Sequence, residues 1–473
     1  MNRARIVSAR YALMLLLGSA LLAAIPGVSV AQPYDVPPTW GGDFWDRPRL
    51  TGSWWGLRDE LGKKGVVFDA DILLSPQGVM SGGKDTGWDL YGNADYTLNI
   101  DTGKLGLWPG GFFKIYGDSS FGDSVSGKVG TIVPPNIWLL LPKADQPASA
   151  LMNATFTQFL STKFGLFAGK VFTLDGFKGE FSGDIRNQFM NTALAFPMAL
   201  VDVPLSAYGG GVVALPWEGV ILTAMALDAD GTPTNSDISE AFQHGTTVVA
   251  SGQVAIKPFG LVGHQNVGGM WSDKSRISLI QDPSNLANFL LKERFPLLGN
   301  PGPLLERILE RFAPNLLNPV QPANREDSTW SVFYGFDQYF WQPAGDPKRG
   351  IGLFFNFGAS DGDANPIKYS YATGIGGNGV VPGRKNDNFG VGWARTQFSD
   401  NFVPLLRQRF HLGLDKEDTF EAFYNAAITQ WLRLSLDLQV INQGLQKTLS
   451  DDRNSLKGVD TAVVGGVRMY IRF

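Results

Sequence analysis

The chain contains no cysteine, so no disulfide holds it together. Its three histidines, His244, His264 and His411, lie far apart and lack the close spacing of a metal site. Charged residues make up 18% of the sequence, against about 25% in soluble domains. Acidic residues, 44, outnumber the 40 basic ones, which argues against nucleic acid as a partner. Beyond residue 31 no stretch holds the ~18 apolar residues that a spanning helix needs. These absences remove a disulfide scaffold, a histidine metal centre, a nucleic-acid binder and a helical membrane protein from consideration.

The first residues read as an export signal. Arg3, Arg5 and Arg10 form a basic start, Ala12 to Ile25 an apolar run, and Ser29-Val30-Ala31 the small residues before a cleavage site. The mature chain is expected to begin near Gln32, with 37 basic against 44 acidic residues and a net charge of −7. Glycine is abundant, at 57 residues, and aromatic residues reach 12%. An exported chain that is short of charge, rich in glycine and aromatics, and without spanning helices fits a transmembrane β-barrel, whose alternating strands never form one long apolar run.

Period-2 alternation supports this. Leu432, Leu434, Leu436, Leu438 and Val440 share one face, and Arg433, Ser435, Asp437 and Gln439 the other. Near the start, Leu90, Ala94, Tyr96, Leu98 and Ile100 oppose Asn93, Asp95, Thr97, Asn99 and Asp101. At the end, Val463, Val467, Met469, Ile471 and Phe473 oppose Val464, Arg468, Tyr470 and Arg472. In a spanning barrel the apolar face meets lipid and the polar face a watery lumen. About sixteen antiparallel strands are expected, at 66–75, 88–101, 111–118, 151–161, 164–174, 207–216, 219–228, 246–257, 261–272, 330–341, 351–359, 389–398, 409–415, 419–429, 432–441 and 461–473. Short turns alternate with the long connections 119–150, 175–206, 273–329 and 360–388, as in bacterial outer-membrane barrels.

Two segments stand apart. Residues 32–65 carry Trp40, Trp45, Trp54 and Trp55, then a short helix from Leu57 to Lys64 ended by Gly65; they are expected at the periplasmic mouth. Residues 285–318, within the long extracellular connection 273–329, read as a broken helix with Leu304, Leu305, Ile308, Leu309 and Phe312 on one stripe. Most tryptophans near strand ends, including Trp40, Trp108, Trp330, Trp341, Trp393 and Trp431, are expected in interfacial girdles. Trp54 or Trp55 is the candidate for stacking on a ligand.

Several stretches, in order, resemble the carbohydrate-selective porins of the OprB family: GSWWGLRDELGKKGVVFD (52–69), TQFLSTKFGLFAGKVFTLDG (157–176), RNQFMNTAL (186–194), YGFDQYFW (334–341), GIGGNGVVPGRKNDNFGVG (374–392), EAFYNAAITQWLRLSLDLQVI (421–441) and the TAVVGGVRMYIRF ending (461–473). The resemblance covers about residues 50–473. It implies a sixteen-stranded barrel of the Gram-negative outer membrane that passively admits glucose and similar small sugars. The helical insert and Gln430 in the ITQWL turn depart from the family pattern.

A pore for hydroxyl-covered solutes needs paired donors and acceptors. The lumen faces offer Asn93, Asp95, Glu421, Asn425, Arg433, Asp437 and Arg468. In sixteen-stranded general porins the third outer loop folds inward and narrows the pore; here that loop is 175–206, and Glu180, Asp184 and Arg186 are its constriction candidates. The Pro382-Gly383-Arg384 turn with Asp387 adds Arg384, whose guanidinium is a rigid fork of donors.

No catalytic, metal or cofactor site is expected. Gly-Asp-Ser-Val-Ser at 122–126 is not a nucleophile elbow, Gly374 to Gly379 falls in an expected outer loop, and Glu417-Asp418 and Asp451-Asp452 read as solvated loop charges. The partners expected are sugars, small polar solutes, outer-membrane lipid and the barrel assembly machinery acting on Phe473, with monomer and homo-oligomer both open. The alternatives are a general porin, an outer-membrane barrel enzyme and an adhesive barrel.

Overall fold

The computed structural model describes residues 34, 36–281, 307, 308, 311, 322–401, 415–444, 447–449 and 456–473. Sixteen antiparallel strands form a closed barrel in which each strand pairs with its sequence neighbours and the last pairs with the first. They are β1 (Val66–Gly83), β2 (Gly87–Asp101), β3 (Gly111–Gly122), β4 (Ser149–Ser161), β5 (Phe164–Phe172), β6 (Ser206–Ala214), β7 (Val220–Asp228), β8 (Thr246–Ile256), β9 (Gly263–Ser272), β10 (Thr329–Trp341), β11 (Gly350–Ser360), β12 (Ile367–Asn378), β13 (Asn388–Phe398), β14 (Lys416–Ala427), β15 (Leu432–Asn442) and β16 (Asp460–Arg472).

The alternation sorts side chains as expected on the outside. Leu436 and Leu438 of β15 are 58% and 47% exposed, whereas Ser435, Asp437 and Gln439 between them are buried. Such an apolar outer band is the surface that lipid requires.

Fifteen expected strands are present, and one is corrected. The structure places a strand at Ile367–Asn378, inside the stretch read as a long loop, and residues 409–414 of the expected strand 409–415 lie outside the described residues. The barrel closes without that segment, because β13 pairs directly with β14, Gly392 opposite Glu421. The sequence shows no alternation here because the inner face of the strand is Ser370, Ala372, Gly374 and Gly376, all small residues. The smallness has a cause. A Cβ on Gly376 would lie 2.6 Å from the Phe181 ring, so only glycine lets this wall meet the loop inside the barrel.

Before the barrel, Leu57–Lys63 forms the short helix α1. The segment around it is laced to β16: Leu50 N–H donates to the Arg472 carbonyl at 2.8 Å and the Arg58 guanidinium to the Phe473 carbonyl at 3.0 Å. Arg58 also bonds Asp69 at 2.9 Å and lies between the Trp40 and Trp54 rings, 5.4 and 4.8 Å from their centroids. Trp40 is buried against Gly62, and Trp431 is buried with its indole N–H on the Phe44 carbonyl at 2.8 Å. These two tryptophans pack the seam of the barrel rather than an interfacial girdle.

The interior departs most from expectation. Loops 123–148 and 173–205 fold into the barrel and build an apolar core there. Phe189 packs edge-on against Phe423 of β14 at 4.9 Å and against Phe354 of β11 at 5.3 Å; Ile137, Trp138, Leu194, Ala199 and Leu200 are all buried beside it. Sixteen strands enclose a lumen wide enough for an aqueous channel, and much of this one is filled by protein. The expected export signal (1–31) and nearly all of the expected helical stretch (285–318) lie outside the described residues.

Candidate functional site

Most of the lumen-facing polar residues hold the loops in place. Glu421 accepts the backbone N–H groups of Met190 and Asn191 at 2.5 and 2.9 Å. Arg468 donates to the carbonyls of Ile185 and Gln188 at 3.0 and 2.6 Å. Gln439 donates to the Pro135 carbonyl and to Asp437, both at 2.8 Å, and Asn93 donates to the Leu141 carbonyl at 3.1 Å. Asn425 bonds Asn388 at 2.6 Å, and Asn388 in turn donates to the Asn187 carbonyl at 2.8 Å. Asn93, Asp95, Glu421, Asn425, Asp437 and Arg468 are therefore buried, not bathed in lumen water. A loop brought into a barrel carries backbone donors and acceptors that lose their water, and the wall must replace it.

Glu417, read as a solvated loop charge, is corrected in the same sense. It is buried and accepts the N–H groups of Ile132, Val133 and Gly444 at 3.1, 3.2 and 3.2 Å, besides the Thr131 hydroxyl.

Among the constriction candidates the structure divides the three. Asp184 and Arg186 line a cavity of ≈330 Å³ together with Asp175, Lys178, Asn187, Arg433, Tyr470 and Arg472. Glu180 does not reach it. Its carboxylate takes the Tyr339 hydroxyl at 3.0 Å, and its N–H donates to Asp337 at 3.2 Å, so it ties the loop to β10. Arg186 pairs with Asp95 and lies over the Trp138 ring at 5.2 Å. Burial opposes its charge, but the Asp95 carboxylate overrides this and holds the guanidinium well above its ordinary value. Burial alone would raise the Asp184 carboxyl; Lys178, 3.1 Å away, and the Asn187 amide hold it below the usual carboxylate range.

Arg384 is at the other end of the barrel from the long loops. Its turn, 379–387, joins β12 to β13 at the end that carries the short turns, and it bonds Asp387 at 2.7 Å. Asp387 also accepts the Ala427 N–H at 2.9 Å, so the turn is braced against β14. Trp54 stacks on Arg58 and leans toward Phe68, and Trp55 is fully exposed; neither lines the cavity. A smaller cavity of ≈50 Å³ lies against β8–β11, lined by Gln253, His264, Asn266, Asp337 and Asn356 with Lys178 again. His264 and Asp337 bond at 2.8 Å.

Four polar residues of the cavity are not singled out by the sequence. Arg472 continues the face of Arg468 and Tyr470, and that spacing was the available signal. Asp175, Lys178 and Asn187 fall within the loop 175–206, and nothing local marks them.

A family model described as the carbohydrate-selective porin, OprB family, matches residues 89–473. The chain belongs to the OprB family of carbohydrate-selective porins. Porin B of Pseudomonas aeruginosa is 26% identical over 142 residues, which is 27% of this chain and 29% of that protein, so the match spans less than a third of that relative. A structure of Pseudomonas putida OprB at high pH superposes with a TM-score of 0.72 at 19% identity, covering 91% of this chain and 100% of that one. The low-pH structure of the same porin superposes with a TM-score of 0.52 at 15% identity, covering 91% and 99%. This OprB-family chain is accordingly an outer-membrane β-barrel with the fold of a channel.

Proposed function

We propose that this barrel is a passive diffusion pore for glucose and similar small sugars, and that its selective step lies at the cavity beneath loop 173–205. The observation carrying this reading is the cavity itself. It has the size of a small-molecule site, about 300 Å³ or more, and its lining sets Lys178, Arg186, Arg433 and Arg472 beside Asp175 and Asp184. Donors and acceptors at close quarters suit a solute covered with hydroxyls. Residues 1–31 are then a cleaved export signal, the end with the helix and the short turns faces the periplasm, and the long loops face outward. Phe473 is the residue offered to the barrel assembly machinery. No covalent chemistry and no cofactor enters this function.

Liposome swelling with purified mature protein tests the reading. Glucose is expected to enter faster than neutral polyols too wide for the cavity, and Arg186→Ala is expected to change that ranking. Equal rates for every small solute leave a general porin, and no swelling from a folded barrel removes the pore reading.

A further inference from the structure

The charges around the ≈330 Å³ cavity do not balance. Each carboxylate that lines it has a cation: Asp184 pairs with Lys178 at 3.1 Å, and Asp175 pairs with Lys114. Arg186 has Asp95. Two lining cations have no such partner. Arg433 donates to the Asn386 carbonyl at 3.1 Å, and neither it nor Arg472 has a carboxylate oxygen within 4.0 Å among the described residues. Asp71 is the cross-strand neighbour of Arg472, but it takes the Tyr470 hydroxyl at 2.7 Å instead.

The two arginines share one patch of wall. Arg433 of β15 stands opposite Tyr470 of β16, and Arg472 is two residues further along the same inward face. Diagonal neighbours on a sheet are about 7–8 Å apart, within reach of one another's long side chains. Two like charges held this close at the edge of a cavity call for an anion between them. A carboxylate matches the planar fork of a guanidinium and takes two bonds from it. The same cavity also offers acceptors. Asn187 Oδ1 is buried without a hydrogen-bond partner, and the Asp184 carboxylate lies beside it. A simple anion has no proton to give them, whereas a sugar hydroxyl does.

We propose that this cavity, besides passing neutral hexoses such as glucose, binds sugars bearing a carboxylate, the uronates and aldonates, more tightly than it binds those hexoses. Arg433 and Arg472 take the carboxylate, and Asn187 and Asp184 receive the hydroxyls. The inference rests on the pore reading and names the substrate class of that same site.

The test has two readouts on the full mature chain. The first is current through the barrel in a planar bilayer, titrated with glucuronate, glucose and acetate. Glucuronate is expected to halve the current at a concentration about tenfold lower than either of the others, the size of effect one charge-assisted pair supplies. Arg433→Gln with Arg472→Gln is expected to bring glucuronate to within about twofold of glucose, and the corresponding pair of lysine substitutions to keep part of the preference. Equal half-block by glucose and glucuronate overturns the proposal. Equal half-block by acetate and glucuronate overturns it too, since the site then reads charge alone. The second readout is binding of glucuronate to the detergent-solubilised barrel by calorimetry, which needs no conduction. Binding by the wild-type barrel that the double glutamine variant loses supports the site even where no current flows, in which case only the pore reading falls. Absence of binding to a folded wild-type barrel overturns the site.

Discussion

The inner wall of this barrel comes in two kinds. On β1–β3 and β14–β16 it carries Asn93, Asp95, Asp118, Glu417, Glu421, Asp437 and Arg468, all buried. On β6–β8 it is small and neutral, with Gly209, Gly211, Thr223, Met225, Ser251 and Gln253, and the last four stay half-exposed. In a plain aqueous pore the charged wall is the wet one. Between these two regions the relation is inverted: protein lies against the charged wall, whereas the neutral wall of β6–β8 keeps these four side chains part-exposed. The charged wall works as a set of sockets for two loops, because each loop arrives with backbone groups that must be satisfied.

Substitutions on the two walls are expected to separate. The largest effect is expected from Arg468→Met, which strips the donor from the Ile185 and Gln188 carbonyls. A loss of about 2–5 kcal/mol is expected, since two buried carbonyls lose a charged donor, read from the urea midpoint of the folded barrel; a loss below about 1 kcal/mol would mean that the loop is not anchored there. Glu421→Gln keeps the shape but only one acceptor oxygen, so one of the two loop N–H groups faces an amide NH2 instead, and about 1–3 kcal/mol is expected on the same assay. Gly376→Val drives a side chain into Phe181 and is expected to destabilise by about 1–3 kcal/mol through overpacking. On the neutral wall, Ser251→Ala is expected to change stability by less than about 0.5 kcal/mol while leaving the current measurable; a large loss there would break the contrast.

Acid provides a gentler probe of the loop itself. The Asp184 carboxyl titrates below its ordinary 3.8 in the folded protein. Its depressed value means that it contributes stability at neutral pH, and that this contribution is lost only as the pH falls through the folded value. Lys178 is then freed into the cavity without a counter-charge. Ion selectivity measured across the barrel is expected to hold from pH 7 down to about 4 and to shift toward anions below that, a shift that Asp184→Asn abolishes. A shift centred near pH 6 would assign the change to another group.

Period-2 reading located the barrel well and its contents poorly, for one reason. Alternation along β15 says which side chains turn inward, and the structure agrees at Leu436 and Gln439 alike. It carries no information about what presses on the inward face. Asp437 in water and Asp437 under a loop have the same neighbours in sequence. β12 is hidden by the same blindness: Gly376 looks like a loop residue because the partner that demands it, Phe181, is nearly two hundred positions away. Asp184 and Arg186 were legible because they lie two residues apart on one inward loop, whereas Arg472 needed the fold to bring β16 beside β15.

The lacing of Arg58 to Phe473 bears on time rather than on stability. That contact spans a separation of 415 residues, and contacts so distant in sequence form late because the chain between them must first be ordered. Until β16 has settled against β1, Arg58 has Asp69 and the two tryptophan rings but no carbonyl from the last residue. The helix and its tryptophans are therefore expected to report the end of folding, and an indole fluorescence change at Trp40 or Trp54 should lag behind strand formation as a separate, slower phase.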